Sequence, residues 1–178
     1  MLLSLINTCC NALRPRVQEV AVRRHCLTFS LNGMRFGIDT RVVHEIARYQ
    51  MLAVPRGMPR SICGLYRHHG VMIPVIDIAA RYGTHPLCPG GRTCIVLIKL
   101  GVGKWRREVG IMVDEIFSVA EFESSDLKPV PDVAHKMISV RIIEGMVKQE
   151  RDYLIVIDVW GLLPDAEQEE LAAYMRAN

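Results

Sequence analysis

The sequence predicts an all-β fold, either small β-barrels or a β-sandwich. About nine or ten short apolar segments of strand length recur roughly every ten residues, with turn residues between them. Helical patterns are short and lie only at the joins, so nothing alternates as the long strand–helix units of a parallel α/β sheet. A chain of 178 residues suits one domain, or two small intertwined ones, with a real core.

The first well-patterned segment predicts a β-hairpin. Residues 27–31 alternate apolar and polar side chains, Asn32-Gly33 follows, and residues 34–38 alternate again. Asn-Gly between two alternating segments is a strong hairpin signal, because both turn positions need a positive φ. Next, Val42, Val43 and Ile46 share one face of a 3.6-residue period, which predicts a short helix over Thr40–Ala47.

The remaining elements follow from the same two periods. Two strands are predicted around Gly70 in residues 65–76, and Ile78–Tyr82 predicts one turn of helix. Further strands are predicted over residues 93–99, 108–113, 116–121, 140–147 and 153–157, and an amphipathic C-terminal helix over residues 165–176.

Charge and hydropathy exclude several classes of protein. The chain has 50% apolar and 23% charged residues, which is typical of a folded globular protein. Its surplus of basic residues, 22 against 19 acidic, falls entirely in residues 1–25, so the rest is neutral and we expect no nucleic-acid partner. The uncharged segment Met1–Leu13 is too short to span a bilayer and lacks the basic start of a signal peptide. We therefore expect a cytoplasmic protein without direct membrane insertion.

The six cysteines form no C-x-x-C pair. Cys26, Cys63 and Cys94 lie beside or within apolar segments. In a cytosolic protein such cysteines are reduced thiols that pack as small hydrophobic side chains. The alternative is a metal site, for which His68, His69 and His85 lie close in sequence to Cys63 and Cys88. We expect none, because neighbouring His68 and His69 on one strand would point to opposite faces.

No motif for catalysis or cofactor binding is complete. Gly101–Lys104 resembles a phosphate-binding loop, but the upstream glycine is Ile98 and the required Ser/Thr is Trp105. Neither G-x-S-x-G nor H-E-x-x-H occurs. Three acidic residues, Asp77, Asp114 and Asp158, each follow an apolar strand, where aspartate is favoured as a cap. We expect these to be structural rather than catalytic, with no cofactor.

Five segments together resemble the CheW family of chemotaxis coupling proteins. The central one is SICGLYRHHGVMIPVIDIAARYG, which matches the family at Ile62, Gly64, Gly70, Pro74, Val75, Ile76 and Asp77. Upstream, VVHEI resembles a family V-x-E-I helix. Downstream, VGIMVDEIFSV, SSDLKPVPD and LIVIDVWGLL resemble the next family segments in the same order. Each match is weak alone, but together they cover about residues 26–163.

The resemblance implies a specific architecture and function. The fold would be two small five-stranded SH3-like β-barrels packed on a shared core, with short helices and a C-terminal helix. Residues 1–25 would be an N-terminal extension, 26–163 the CheW-like domain with two intertwined barrels, and 164–178 the C-terminal helix. The chain would be a non-enzymatic adaptor that couples methyl-accepting chemoreceptors to a CheA-type histidine kinase, in the cytoplasm and recruited to membrane receptor arrays.

The resemblance also implies a receptor-binding groove. By position it comprises Val43, Glu45, Ile46, Gly64, His69, Gly70, Ile111 and Val113. The family usually has arginine where this chain has His69, and a permanent planar charge there could pair with Glu45. We expect weaker or altered receptor contact at this point. The alternative function is a divergent regulator of a non-flagellar chemosensory system, with pili, biofilm or second-messenger output, which could include a response to metal.

Overall fold

The computed structural model describes residues 22–58, 62–81, 85–100, 107–130, 142–150, 152–162 and Glu169. Within them ten strands form two sheets of five, so the all-β prediction is confirmed. The strands are β1 (Arg23–Leu31), β2 (Met34–Asp39), β3 (Val43–Arg48), β4 (Ile62–His68), β5 (Val71–Ile76), β6 (Cys94–Leu100), β7 (Arg107–Val113), β8 (Glu115–Glu123), β9 (Ile143–Lys148) and β10 (Tyr153–Ile157). Helix α1 covers Ile78–Arg81, and 3-10 turns cover Ser124–Asp126 and Val159–Gly161.

The two sheets have the same topology. Sheet A has the order β8-β1-β2-β10-β9, and sheet B has the order β3-β6-β7-β5-β4. Each contains one central hairpin, β1–β2 or β6–β7, and one parallel contact, β2 with β10 or β7 with β5. The described part of the chain starts in sheet A, builds all of sheet B, and returns to complete sheet A, so the two units are intertwined.

The hairpins form where the turn residues predict them. Asn32 and Gly33 have φ values of 48° and 79°, the left-handed conformation that a two-residue hairpin turn requires. The turn brings Phe29 opposite Phe36, and their rings stack with centroids 6.3 Å apart. His69-Gly70 joins β4 to β5 in the same way, with φ values of 47° and 84°.

The helix predicted over Thr40–Ala47 is wrong, because this segment is a tight turn followed by strand β3. The N–H groups of Val42 and Val43 donate to the carbonyls three residues earlier, so only a single turn forms. A β-bulge follows, since Val43 pairs with Ile98 and Glu45 with the adjacent Leu97, leaving His44 between them. The turn and the bulge break the two-residue alternation, and the apolar spacing then imitates a helical period.

In each sheet, the segment that follows one edge strand hydrogen-bonds to the opposite edge strand. After β3 the chain bends, and Ala53 exchanges backbone hydrogen bonds with Leu65 of β4 at 3.0 and 2.7 Å. After β8, Lys128 does the same with Met146 of β9, at 2.8 Å both ways. The two outer strands of each sheet therefore approach each other, as in a small barrel.

The two sheets share one hydrophobic core, as the family resemblance implies. A single cluster joins Leu27, Phe29 and Phe36 of sheet A to residues such as Ile95 and Ile111 of sheet B. A second, smaller cluster lies within sheet A and comprises Cys26, Phe122, Val147, Leu154 and Val156. Burial of these side chains is the main stabilising contribution to the fold.

The aspartates that follow strands have the predicted structural roles. Asp77 is buried, and its carboxylate accepts hydrogen bonds from Ala80 N in α1, at 3.1 Å, and from Leu87 N, at 2.8 Å. Asp158 accepts from Trp160 N at 3.0 Å and caps the 3-10 turn. Asp114 accepts from Asn32 N at 2.7 Å, which connects the start of β8 to the β1–β2 turn.

Both predicted terminal segments lie largely outside the described residues. Strand β1 begins at Arg23, within the predicted extension 1–25, and residues 1–21 are outside the described part. The predicted helix 165–176 is outside it except for Glu169, as is the turn at residues 101–103. In the part of the chain that the structure describes, no helix has the length and apolar character needed to cross a membrane.

We expect Gly145→Ala to lower the free energy of unfolding by about 1–3 kcal/mol. A Cβ at Gly145 would lie 2.8 Å from the carbonyl oxygen of Lys128 and 2.8 Å from Leu127 Cγ, so the segment crossing β9 must move. Urea unfolding measures the change. Gly90→Ala is the matched control, because its Cβ meets no atom within 4 Å, and it should change stability by less than about 0.5 kcal/mol. Equal stability of the two variants would contradict the expectation.

Candidate functional site

The surface that best fits a binding role lies where the two outer strands of sheet B meet. We call it the β3–β4 seam and define it as Glu45, Ile46, His68, His69, Gly70 and Val71. These residues come from β3, from the end of β4, from the turn and from the start of β5.

A contact between a carboxylate and an imidazole crosses the seam. Glu45 Oε2 lies 3.2 Å from His68 Nε2, although β3 and β4 are at opposite ends of the hydrogen-bonded order of sheet B. The His68 side chain is only 11% exposed, and its ring packs against Tyr66 at a centroid distance of 5.9 Å. Glu45 is exposed, so one member of the pair is held by packing and the other faces solvent.

The two histidines of the seam lie side by side, and the prediction that they point to opposite faces is wrong. Strand β4 ends at His68, and His69 has a positive φ of 47° in the turn. This conformation breaks the alternation of a strand and brings the two rings to a centroid distance of 4.2 Å, edge to face. The ligand atoms of Glu45, His68 and His69 all lie within 4.8 Å of one another.

Apolar side chains flank these polar groups. Ile46 follows Glu45 on β3 and is 45% exposed, and Val71 pairs with His68 across the turn and is 61% exposed. Exposed aliphatic side chains beside a few polar groups are typical of a protein-binding surface. The seam therefore combines an apolar contact area with a charged side chain, Glu45, that can orient a bound partner.

The predicted groove residues are divided between this surface and the interior. Glu45, Ile46, His69 and Gly70 belong to the seam, and Val43 is half-buried at the start of β3. Gly64 is buried below the segment around Leu52 and Ala53 that crosses β4, and a Cβ at Gly64 would lie 2.6 Å from Leu52 Cβ.

Two further groove residues lie on β7 within the core. Ile111 and Val113 have no exposed surface. They pair with Val96 and Cys94 of β6, which in turn pair with Ile46 and Arg48 of β3. Their contribution to the seam is to support β3 through β6.

The described cysteines are free thiols, and two are held in the neutral form by burial. Burial raises the pKa of Cys26 to about 11, and burial together with the charge of Asp77 raises that of Cys63 to about 11. The Cys63 thiol donates to the Val75 carbonyl at 3.2 Å. Both therefore pack as small hydrophobic side chains, in agreement with the prediction.

A surface depression lies on sheet A, lined by Arg24, Asp39, Arg41 and Glu144, and its charges pair with one another. Arg24 donates to Glu144 Oε2 at 2.9 Å and lies 3.7 Å from Asp39. Arg41 donates to Asp39 Oδ2 at 2.6 Å, and this hydrogen bond lowers the pKa of Asp39. Glu144 likewise raises the pKa of Arg24. The pairing connects β1, β2 and β9, so we assign this cluster a structural role.

Comparison with known proteins agrees with the two-sheet architecture. The family model described as "CheW-like domain" matches residues 25–167, most of the chain. The chain belongs to the CheW-like domain family. This assignment confirms the resemblance found in the sequence.

Relatives and a solved structure extend the match. The chemotaxis protein CheW of Bacillus subtilis is 30% identical over 155 residues, covering 86% of this chain and 95% of that protein. CheW of Klebsiella aerogenes is 26% identical over 146 residues, covering 82% and 85%. The crystal structure of the scaffolding protein TtCheW from Thermoanaerobacter tengcongensis has a TM-score of 0.70 at 24% identity, covering 80% and 89%, and shows the same fold.

Sequence reasoning missed two residues of the seam in this CheW-like chain. Strand alternation predicts that His68 points away from His69, and the apolar pattern predicts Val71 only as a strand residue. The available signal was the dipeptide His69-Gly70, which resembles the Asn-Gly of the first hairpin. A positive φ at the first turn residue ends the alternation at His68.

We expect Asp39→Asn to lower the free energy of unfolding by about 1–3 kcal/mol at pH 7, because Arg24 and Arg41 lose a charged acceptor. The pKa of Asp39 is lowered in the folded state. Its stabilising effect is therefore fully present above the unfolded pKa of about 3.9 and disappears as pH falls through the lower folded value.

Urea unfolding at pH 7 and near pH 3 measures this dependence. The difference between the wild-type protein and Asp39→Asn should be smaller at the acid pH. Glu121→Gln is the control, because Glu121 pairs with His25 on an exposed surface and contributes little. A difference that is independent of pH would argue against the assigned charge pairing.

Proposed function

We propose that this chain is a non-enzymatic adaptor that couples methyl-accepting chemoreceptors to a CheA-type histidine kinase in a chemotaxis pathway. The observation that carries the proposal is the CheW-like match over residues 25–167, together with relatives that are named chemotaxis proteins. The adaptor acts in the cytoplasm at membrane receptor arrays and transforms no molecule.

The distribution of exposed apolar side chains supports a protein with two partners. Ile46 and Val71 are exposed at the β3–β4 seam of sheet B. Phe117, Val119, Tyr153 and Trp160 are exposed on or next to the strands of sheet A. An adaptor that binds two macromolecules at once needs two separate surfaces of this kind, each with a few central anchors.

We assign the receptor contact to the seam. The groove residues implied by the family resemblance include Glu45, Ile46, His69 and Gly70, which share this surface. A helical-hairpin tip of a receptor can place an apolar stripe on Ile46 and Val71, by the helix-in-groove mode. Glu45 then supplies a charge that selects the orientation of the tip. We assign the kinase contact to the exposed apolar residues of sheet A named above.

Ile46→Asp should weaken binding of a cognate receptor cytoplasmic fragment by about tenfold or more, because it places a charge at the centre of the proposed contact. Isothermal titration calorimetry with purified components measures the affinity. Val119→Asp is the matched control, since Val119 is also an exposed strand residue but belongs to sheet A. Receptor binding that is equally weakened, or equally unaffected, in the two variants would refute the assignment of the seam.

His69→Arg should strengthen receptor binding by up to about fivefold, the most that an exposed ion pair supplies. Arginine carries a permanent charge and a planar fork that can engage Glu45 and hold its carboxylate in place for the receptor, whereas histidine near neutral pH does not always carry a charge. A pull-down with the same fragment, quantified against His69→Gln as the uncharged control, tests this. Receptor binding that is unchanged by His69→Arg would contradict the prediction that His69 weakens the receptor contact.

A further inference from the structure

Glu45, His68 and His69 form a compact group of metal-ligating side chains. Strand β4 positions His68, the left-handed turn residue His69 brings a second imidazole to it, and β3 brings a carboxylate from the opposite edge of sheet B. No other three histidine, cysteine or acidic side chains of the described residues bring their ligand atoms as close together. The other histidine–glutamate pairs, His25–Glu121 and His44–Glu108, have no third ligand within such a distance among the described residues.

We propose that this group binds a divalent late-transition-metal ion, with zinc as the reference ion. Two imidazole nitrogens and one carboxylate oxygen are a ligand set that zinc accepts while keeping a fourth position for water or a partner's side chain. Two nitrogens also disfavour magnesium and calcium, which prefer oxygen ligands. The site links β3 to β4, the two edge strands of sheet B.

The distances require little rearrangement. Ligand atoms about 2.0–2.1 Å from a tetrahedral zinc ion lie about 3.3 Å from one another. Glu45 Oε2 and His68 Nε2 are already 3.2 Å apart. The three ligand atoms lie within 4.8 Å of one another, so the imidazole of His69 must move at most about 1.5 Å closer to the other two. His69 is exposed, and its side chain can rotate to do so. His68 is held in place by Tyr66, so one ligand is oriented before the ion arrives.

The test is isothermal titration of zinc chloride into untagged, metal-stripped, full-length protein under reducing conditions. We expect one zinc ion per chain at this site and no binding of magnesium in a parallel titration. His68→Gln, His69→Asn and Glu45→Gln should each weaken zinc binding by about 100-fold or more, since each removes a direct ligand. Asparagine at position 69 tolerates the positive φ, so the turn is kept.

His25→Gln is the matched control, because it removes an exposed histidine that also pairs with a glutamate and should leave zinc binding unchanged. Circular dichroism confirms that each variant is folded, and if His68→Gln does not fold, Glu45→Gln and His69→Asn carry the test. Zinc should also raise the melting temperature of the wild-type protein and of His25→Gln, because binding to the folded state alone stabilises it.

Two results would overturn the proposal. One is that the wild-type protein does not bind zinc. The other is that zinc binding is as strong in the folded seam variants as in His25→Gln, which would place the ion on other ligands such as the cysteines. The seam is also the surface proposed for the receptor, but zinc binding is measured without a receptor. Either proposal can therefore fail while the other stands.

Discussion

The architecture depends on one packing constraint: a segment of backbone crosses directly over a glycine in each sheet. Gly64 lies under Leu52 and Ala53, and Gly145 lies under Leu127 and Lys128. At both places the backbone hydrogen bonds that fasten the crossing segment can form only because no Cβ intervenes. The crossing in sheet B brings β3 towards β4, and without it Glu45 and His68 would stay at the two ends of an open sheet.

The repeated topology explains how a short chain obtains a large core. In each sheet the parallel contact occurs at a glycine, Gly37 or Gly110, where neighbouring side chains occupy the space of a Cβ. In each, the strand making that contact is followed by a capping aspartate, Asp158 or Asp77. Sheet B comes from one continuous part of the chain, whereas sheet A comes from two segments on either side of it. The two sheets are therefore linked through the chain in both directions, and they bury their inner faces together.

Local signals in the sequence were sufficient for most strands and for the turns. Asn32-Gly33 predicts the first hairpin, and the apolar segment 93–99 predicts the interior strand β6, because both signals depend on neighbouring residues alone. Strand β3 was missed since its bulge at His44 arises from pairing with β6, a partner about fifty residues away. The family resemblance supplied the two-barrel arrangement, which no local period in this chain encodes.

The functional surface was predictable only in part, for a related reason. The resemblance predicts Glu45 and His69, but their proximity follows from the approach of β3 to β4 and from the backbone conformation of the turn. Ile111 and Val113 match the family pattern equally well and are buried, because a motif records both the residues that build a surface and those that support it. The seam is therefore a product of tertiary packing: β7 and β6 hold β3 in place, the Gly64 crossing sets its distance from β4, and the turn directs His69 towards Glu45. Binding of a partner to this surface therefore depends on the packing of all five strands of sheet B.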